Sequence, residues 1–135
     1  MGISSVPPVD GGDVTGMIGI HGKVSGFITV NMGNRCAVKL VEGLLQDQFG
    51  TLTSQVVDGM GEITNIIVGG IKSAVSSTDR AFSHITVPSV IVGRGYHIAY
   101  AKGLDFLCVA FEIDDPEALV LQDRLLQVSM SMLRL

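Results

Sequence analysis

Asp58, Glu62 and Asn65 recur along what is predicted to be one face of a helix. At about 100° per residue, Glu62 and Asn65 share an exposed face and lie about 4.5 Å apart along the helix axis, so one small target can meet both side chains. The Asn65 amide offers a hydrogen-bond donor and an acceptor, which suits positioning, but it cannot act as a general base near neutral pH. An amphipathic helix always has a polar face, so the pair alone does not establish a site.

Four glycines in the same segment favour a functional interpretation of that face. Gly59, Gly61, Gly69 and Gly70 each cost about 1 kcal/mol relative to alanine in a helix interior, so something should compensate for them. Gly59 and Gly61 flank the polar face, where missing side chains would let another protein approach. We therefore predict a partner-binding surface of Asp58, Gly59, Gly61 and Gly69. Tight packing against a neighbouring helix would explain Gly70 equally well.

The helix itself is predicted by the most regular hydrophobic period in the chain. Apolar residues recur at steps of four, three, four and four, and they are Val56, Met60, Ile63, Ile67 and Ile71. This stripe predicts a helix from near Ser54 past Ala74. A shorter apolar stripe predicts another helix over about 35–48, with Asn34 as its N-cap.

The remaining segments indicate strands around these two helices. Runs rich in β-branched residues predict a hairpin over 14–20 and 24–32 and further strands over 85–92, 96–101 and 104–113. Residues 1–12, which contain prolines and glycines, are expected to be a loose lead-in. Pro116 and the apolar seam after it predict a C-terminal helix within 114–135. We expect one domain over 1–135 with an α+β fold: a largely antiparallel sheet of about five to six strands packed by two central helices, with the additional C-terminal helix.

Composition excludes several classes of function. The chain has 135 residues and a net charge of -4 with scattered basic residues, which disfavours nucleic-acid binding. Its apolar runs are too short for a membrane span, and its two cysteines, Cys36 and Cys108, suit reduced thiols of a cytoplasmic protein. His21, His84 and His97 are widely spaced without matching carboxylates, so no metal site is expected. Phosphate-loop, nucleophile-elbow and dinucleotide patterns are missing from the sequence.

The helix residues also carry a resemblance to a known family. The string Asp58-x-x-x-Glu62-x-x-Asn65, followed after twenty-two residues by Pro88, resembles the signature of the CheC, CheX and FliY chemotaxis phosphatases. A chain of this composition would show Glu-x-x-Asn with a correctly placed proline roughly 0.003 times by chance. The first hairpin and the strand after Pro88 also resemble this family, so the resemblance covers about residues 14–113. A single copy of the signature is similar to CheX rather than to CheC.

This resemblance implies a fold, a substrate and roles for the residues. The fold would be CheX/CheC-like, and the substrate would be the phospho-aspartate of a CheY-like response regulator. Asn65 would orient the attacking water, Glu62 would pair with a lysine of the regulator, and Pro88 would be structural. Mg²⁺ is expected in the phosphorylated partner, with no cofactor on this chain, and the family implies a homodimer.

Two other functions stay open at this point. One is a non-catalytic docking module that binds a response regulator or another chemotaxis component through the same helix face. The other is a structural dimerisation domain, which depends on the apolar C-terminal helix.

Overall fold

The computed structural model describes residues 2–4, 14–93 and 105–134. Alternating β-branched runs form the strands, and the two stripes of apolar residues form the helices. The elements in chain order are β1 (Gly2–Ser4), β2 (Val14–Gly22), β3 (Val24–Met32), α1 (Asn34–Leu45), α2 (Ser54–Ala74), β4 (Phe82–Ile85), β5 (Ser89–Val92), β6 (Asp105–Glu112), a 3₁₀ helix (Leu121–Arg124) and β7 (Leu125–Arg134).

The seven strands of the described residues belong to one sheet, in which every pairing is antiparallel. The order across the sheet is β1-β6-β7-β3-β2-β4, and β5 also pairs with β2. β4 pairs with β2 near Gly22, and β5 pairs with it near Val14, so the two short strands share one edge of β2. The prediction of an α+β fold with an antiparallel sheet and two helices is confirmed.

Both helices pack against the same face of this sheet. In β2, β3 and β7 the even-numbered side chains face the helices, because successive side chains of a strand lie on opposite faces of the sheet. Together with the apolar stripes of α1 and α2 they form two buried clusters. Among the fully buried side chains are Ile18, Ile28, Met32, Met60 and Met132.

The predicted C-terminal helix is wrong. Residues 125–134 form β7, which lies between β3 and β6 and pairs with both along most of its length. Only Leu121–Arg124 are helical in this region, and they form a single 3₁₀ turn. Asp115, just before Pro116, accepts hydrogen bonds from Arg35 of α1.

Other boundaries differ from the expectation in smaller ways. Gly2–Ser4, within the predicted loose lead-in, pair with β6 as β1. The strand predicted over 85–92 is shorter than expected, because β4 ends at Ile85 and β5 begins only at Ser89. Gly33 rather than Asn34 is the N-cap of α1. The strand predicted over 96–101 lies outside the described residues. Within the part of the chain that the structure describes, no helix has the length and hydrophobicity needed to cross a membrane.

Candidate functional site

Helix α2 presents the candidate site, and its start is fixed by a side-chain cap. The Thr53 hydroxyl accepts a hydrogen bond from the Val56 N–H at 3.2 Å, which satisfies one of the unpaired donors of the first turn. The helix runs from Ser54 to Ala74, as its hydrophobic period predicts. Val56, Met60 and Ile63 enter the core, so the opposite side faces outward.

A close contact between Gly16 and Thr64 sets the position of α2 over the sheet. Thr64 is fully buried, and a Cβ added at Gly16 would overlap its Oγ1. The same hydroxyl donates a hydrogen bond to the Met60 carbonyl at 2.7 Å, which holds its rotamer. The missing side chain at Gly16 therefore lets α2 approach β2 closely. The contact is at Thr64, the residue before Asn65.

Gly59 and Gly61 do not lie on the exposed surface that the sequence interpretation assigned to them. Both are buried, whereas a partner-binding surface requires exposure. A Cβ at Gly59 would come within 2.5 Å of Val41 Cγ1, so this glycine permits close packing of α1 on α2. A Cβ at Gly61 would lie 3.7 Å from Pro88 Cγ, which places Gly61 against the segment between β4 and β5.

Pro88 lies where the strand predicted over 85–92 is interrupted. It immediately precedes β5, and proline has no N–H to continue the ladder. Thr86 replaces the lost pairing with two hydrogen bonds to Gly19: its N–H donates to the Gly19 carbonyl at 3.0 Å, and its Oγ1 accepts from the Gly19 N–H at 2.8 Å. These bonds attach the 86–88 segment to β2 beside α2.

The outward side of α2 brings together Asp58, Glu62, Asn65 and Gly69. Their spacing of four, three and four residues keeps them within about 60° around the helix axis. Asp58 and Glu62 are exposed, and Asn65 and Gly69 are partly exposed. Over the described residues, neither the Glu62 carboxylate nor the Asn65 amide has a side-chain partner. Two polar groups of a rigid helix are therefore available to another molecule.

Ile66 was missed as part of this surface. Its side chain is 59% exposed, directly after Asn65 and one turn after Glu62. It lies about 100° away from the buried stripe around the helix axis. That deviation from the apolar period is the sequence signal that identifies it.

A cavity of about 610 Å³ lies elsewhere, alongside α1. Its walls come from α1, the α1–α2 loop and Glu117, and three of its charged groups, Arg35, Glu42 and Glu117, already have partners. Glu42 accepts hydrogen bonds from the N–H groups of Phe49 and Gly50, which lower the pKa of its carboxyl. Arg35 binds Asp115 at 2.9 Å, so this cavity is a less suitable reaction site than the face of α2.

The metal-ligating and thiol groups add no second site. In the ranges 2–4, 14–93 and 105–134, no three His, Cys, Asp or Glu side chains are grouped to hold a metal ion. Cys36 and Cys108 are both buried and free. Burial raises the pKa of the Cys36 thiol to about 11, which keeps it protonated and unreactive near neutral pH.

Solved structures with the same architecture are chemotaxis proteins. The CheX of Vibrio vulnificus has a TM-score of 0.78 and 22% identity, with 98% of this chain and 83% of that chain covered. The CheX of Desulfovibrio desulfuricans has a TM-score of 0.77 and 25% identity, with 98% and 83% covered. A complex of CheX with CheY, BeF₃ and Mg²⁺ from Borrelia burgdorferi gives a TM-score of 0.77 and 21% identity, with 98% and 82% covered.

Sequence comparison then identifies the family. No curated protein matches the chain. The model of the chemotaxis phosphatase CheX matches residues 14–112, which include both strands of the first hairpin, α2 and Pro88. The chain belongs to the CheX family.

Proposed function

We propose that this chain is a phosphatase that hydrolyses the phospho-aspartate of a CheY-like response regulator and thereby ends a chemotaxis or other two-component signal. The observation that carries the proposal is the Glu62–Asn65 pair on the outward side of α2, which has no side-chain partner among the described residues, in a chain of the CheX family. The Borrelia burgdorferi relative, solved with CheY, BeF₃ and Mg²⁺, supports the same class of partner.

The reaction requires an in-line water and little covalent chemistry from the phosphatase. The water oxygen attacks phosphorus, the bond between phosphorus and the aspartyl oxygen breaks, and inorganic phosphate leaves the regenerated carboxylate. The water's proton passes to the phosphate and solvent. Positioning supplies most of the acceleration in such a step. The Asn65 amide holds the water through its donor and acceptor and takes no proton.

In this mechanism Glu62 contributes to docking of the response regulator. Asp58 and Glu62 place two exposed carboxylates one turn apart on α2, so the face suits a basic group of the partner. We assign Glu62 to pair with a lysine of the regulator, with Asp58 and Gly69 as further contact residues. The regulator carries the Mg²⁺ that offsets charge on the phosphoryl group.

The proposal places the protein in the cytoplasm as a homodimer. The alternative structural dimerisation domain depended on a C-terminal helix, and residues 125–134 instead form an interior strand. The other alternative, a docking module without catalysis, uses the same face of α2, so it is distinguished by rate measurements.

The test follows the loss of phosphate from a phosphorylated CheY-like regulator of the same organism. We expect acceleration by the wild-type chain, at least a hundredfold loss of turnover in Asn65→Ala with binding largely kept, and weakening of both in Glu62→Ala. Asn34→Ala is the matched control, because Asn34 is an exposed asparagine at the start of α1. Binding without acceleration by the wild type would favour the docking module, and equal rates in all variants would remove the site assignment.

A further inference from the structure

Apolar side chains are exposed on both sides of the Glu62–Asn65 pair. Ile66 is 59% exposed and follows Asn65 on α2. On the other side, Gly61 packs against Pro88, and the residue before Pro88 is Val87, which is 85% exposed. Single exposed apolar residues are common on protein surfaces. Here Ile66 lies one turn after Glu62, and Val87 precedes the proline that faces Gly61, the residue before Glu62, so the two apolar side chains belong to segments on either side of the pair.

The segment that carries Val87 is held firmly. Thr86 is bonded to Gly19 through both its N–H and its hydroxyl. Pro88 restricts the backbone on the other side and packs on Gly61. Val87 is therefore presented at a fixed position, and its exposure is not the result of an unanchored loop.

We propose that Ile66 and Val87 are apolar contacts buried by the response regulator, and that they determine affinity for it without taking part in the chemistry. This inference rests on the proposed function. The regulator is the occupant because its phospho-aspartate must reach Asn65, and Ile66 follows Asn65 in the helix. Glu62 and Ile66 are one turn apart on neighbouring positions of the helix surface, so a partner that contacts both Glu62 and Asn65 also covers Ile66.

The glycines beyond Asn65 leave space for that partner. Among the described residues, a Cβ at Gly69 or Gly70 would have no heavy atom within 4 Å, so packing against that part of the chain does not explain either residue. The described helix α1 therefore does not account for Gly70. Both glycines lower helix propensity, and both are within one turn or so of Ile66. Their absent side chains let the regulator's surface approach Ile66 closely.

The experiment compares Ile66→Ala and Val87→Ala with wild type. Steady-state dephosphorylation of the CheY-like regulator gives kcat and KM, and titration with the regulator activated by beryllofluoride and Mg²⁺ gives Kd without turnover. We expect KM and Kd to rise about tenfold in each variant while kcat stays within about twofold. Ile66→Ala should not impair folding, because alanine is the stronger helix former.

Val120→Ala is the matched control. Val120 is exposed to the same 59% as Ile66, and it precedes the 3₁₀ helix that packs near α1. Its removal should leave kcat, KM and Kd unchanged. Unchanged KM and Kd in both Ile66→Ala and Val87→Ala would overturn the inference, and so would a fall in kcat without a change in Kd.

Failure of the proposed function gives a different result. In that case the wild type does not accelerate phosphate loss. The titration with the beryllofluoride-activated regulator then becomes the only test of whether Ile66 and Val87 contact it. Weaker binding of Ile66→Ala would then retain the surface for a docking module. Binding equal to wild type in both variants, or no binding by the wild type, would overturn the inference as well.

Discussion

Thr64 of α2 lies directly over Gly16 of β2, and its hydroxyl occupies the space that a side chain at Gly16 would need. This contact determines how closely the helix approaches the sheet and which way it is rotated. Asn65 is the next residue, so its direction depends on the contact below it. The candidate site is exposed, but a buried pair positions it.

Gly16→Ala should therefore destabilise the protein and impair the site together. The added methyl group overlaps Thr64 Oγ1, and overpacking of this kind costs about 1–3 kcal/mol of unfolding free energy. Denaturant unfolding measures the stability, and turnover of the phosphorylated regulator measures the site. We expect kcat to fall even under conditions where the variant remains fully folded, because α2 is displaced.

The double variant Gly16→Ala/Thr64→Ala tests whether the contact is the cause. Removing the hydroxyl and methyl of Thr64 leaves only its Cβ near the new methyl group, at 3.0 Å. Part of the lost stability should return, and the double-mutant cycle should show coupling between the two positions. Additive losses would indicate that the overlap is relieved elsewhere.

Two glycine-to-alanine variants should change stability in opposite directions. At Gly59 the new methyl would be 2.5 Å from Val41 Cγ1, so we expect a loss of about 1–3 kcal/mol in unfolding free energy. At Gly43 of α1 the new methyl meets no heavy atom of the described residues within 4 Å, so the gain in helix propensity should stabilise the protein by about 0.5–1 kcal/mol. Thermal unfolding of the two variants beside wild type checks both signs, and stabilisation by Gly59→Ala would contradict the packing assigned to it.

The Arg35–Asp115 pair should make stability depend on pH in the acid range. Hydrogen bonds from Arg35 lower the pKa of the Asp115 carboxyl, and burial opposes this to a lesser degree. Because the folded-state pKa lies below the unfolded value, the pair stabilises the protein above about pH 4, and the effect is lost as the pH falls through the folded-state pKa. Asp115→Asn should lower the melting temperature near neutral pH and flatten its decline in acid.

The neighbouring variant Asp114→Asn is the control for this pH profile. Asp114 is exposed, and its substitution leaves the Arg35–Asp115 pair intact. It should keep the wild-type decline in melting temperature between neutral pH and about pH 3. A decline of the same steepness in Asp115→Asn would show that other carboxyls, such as Glu42, account for the acid sensitivity.

The central helix and the polar face of the site could be predicted from the sequence, because the helical spacing of the apolar residues in α2 determines both. The stripe that includes Met60 and Ile63 fixes which side of α2 is buried, and the same period places Glu62 and Asn65 on the other side. The glycines could not be assigned in this way. Gly59 permits a close contact with Val41, and Gly61 is buried facing Pro88; both neighbours belong to other elements, and sequence spacing within one helix carries no information about them.

The C-terminal helix was predicted wrongly because the segment fits two periods. Leu121, Leu125, Val128 and Met132 match a helical seam, but Val128, Met130 and Met132 also alternate with Ser129 and Ser131. The alternation prevails because β3 and β6 supply hydrogen-bonding partners on both sides of β7. Those partners are distant in the chain, so tertiary context overrides the local pattern.

The interior position of β7 has a consequence for synthesis on the ribosome. β3 and β7 pair although about a hundred residues separate them, and β6 and β1 join the sheet only through β7. Residues 14–93 therefore emerge from the ribosome with the edge of β3 unpaired. At a translation rate of roughly 5–20 residues per second, residues 125–134 follow several seconds later. During that interval the exposed edge of β3 is a place where chaperones or other nascent chains can pair. Translation speed through the last third of the chain should thus influence how much protein reaches the native state.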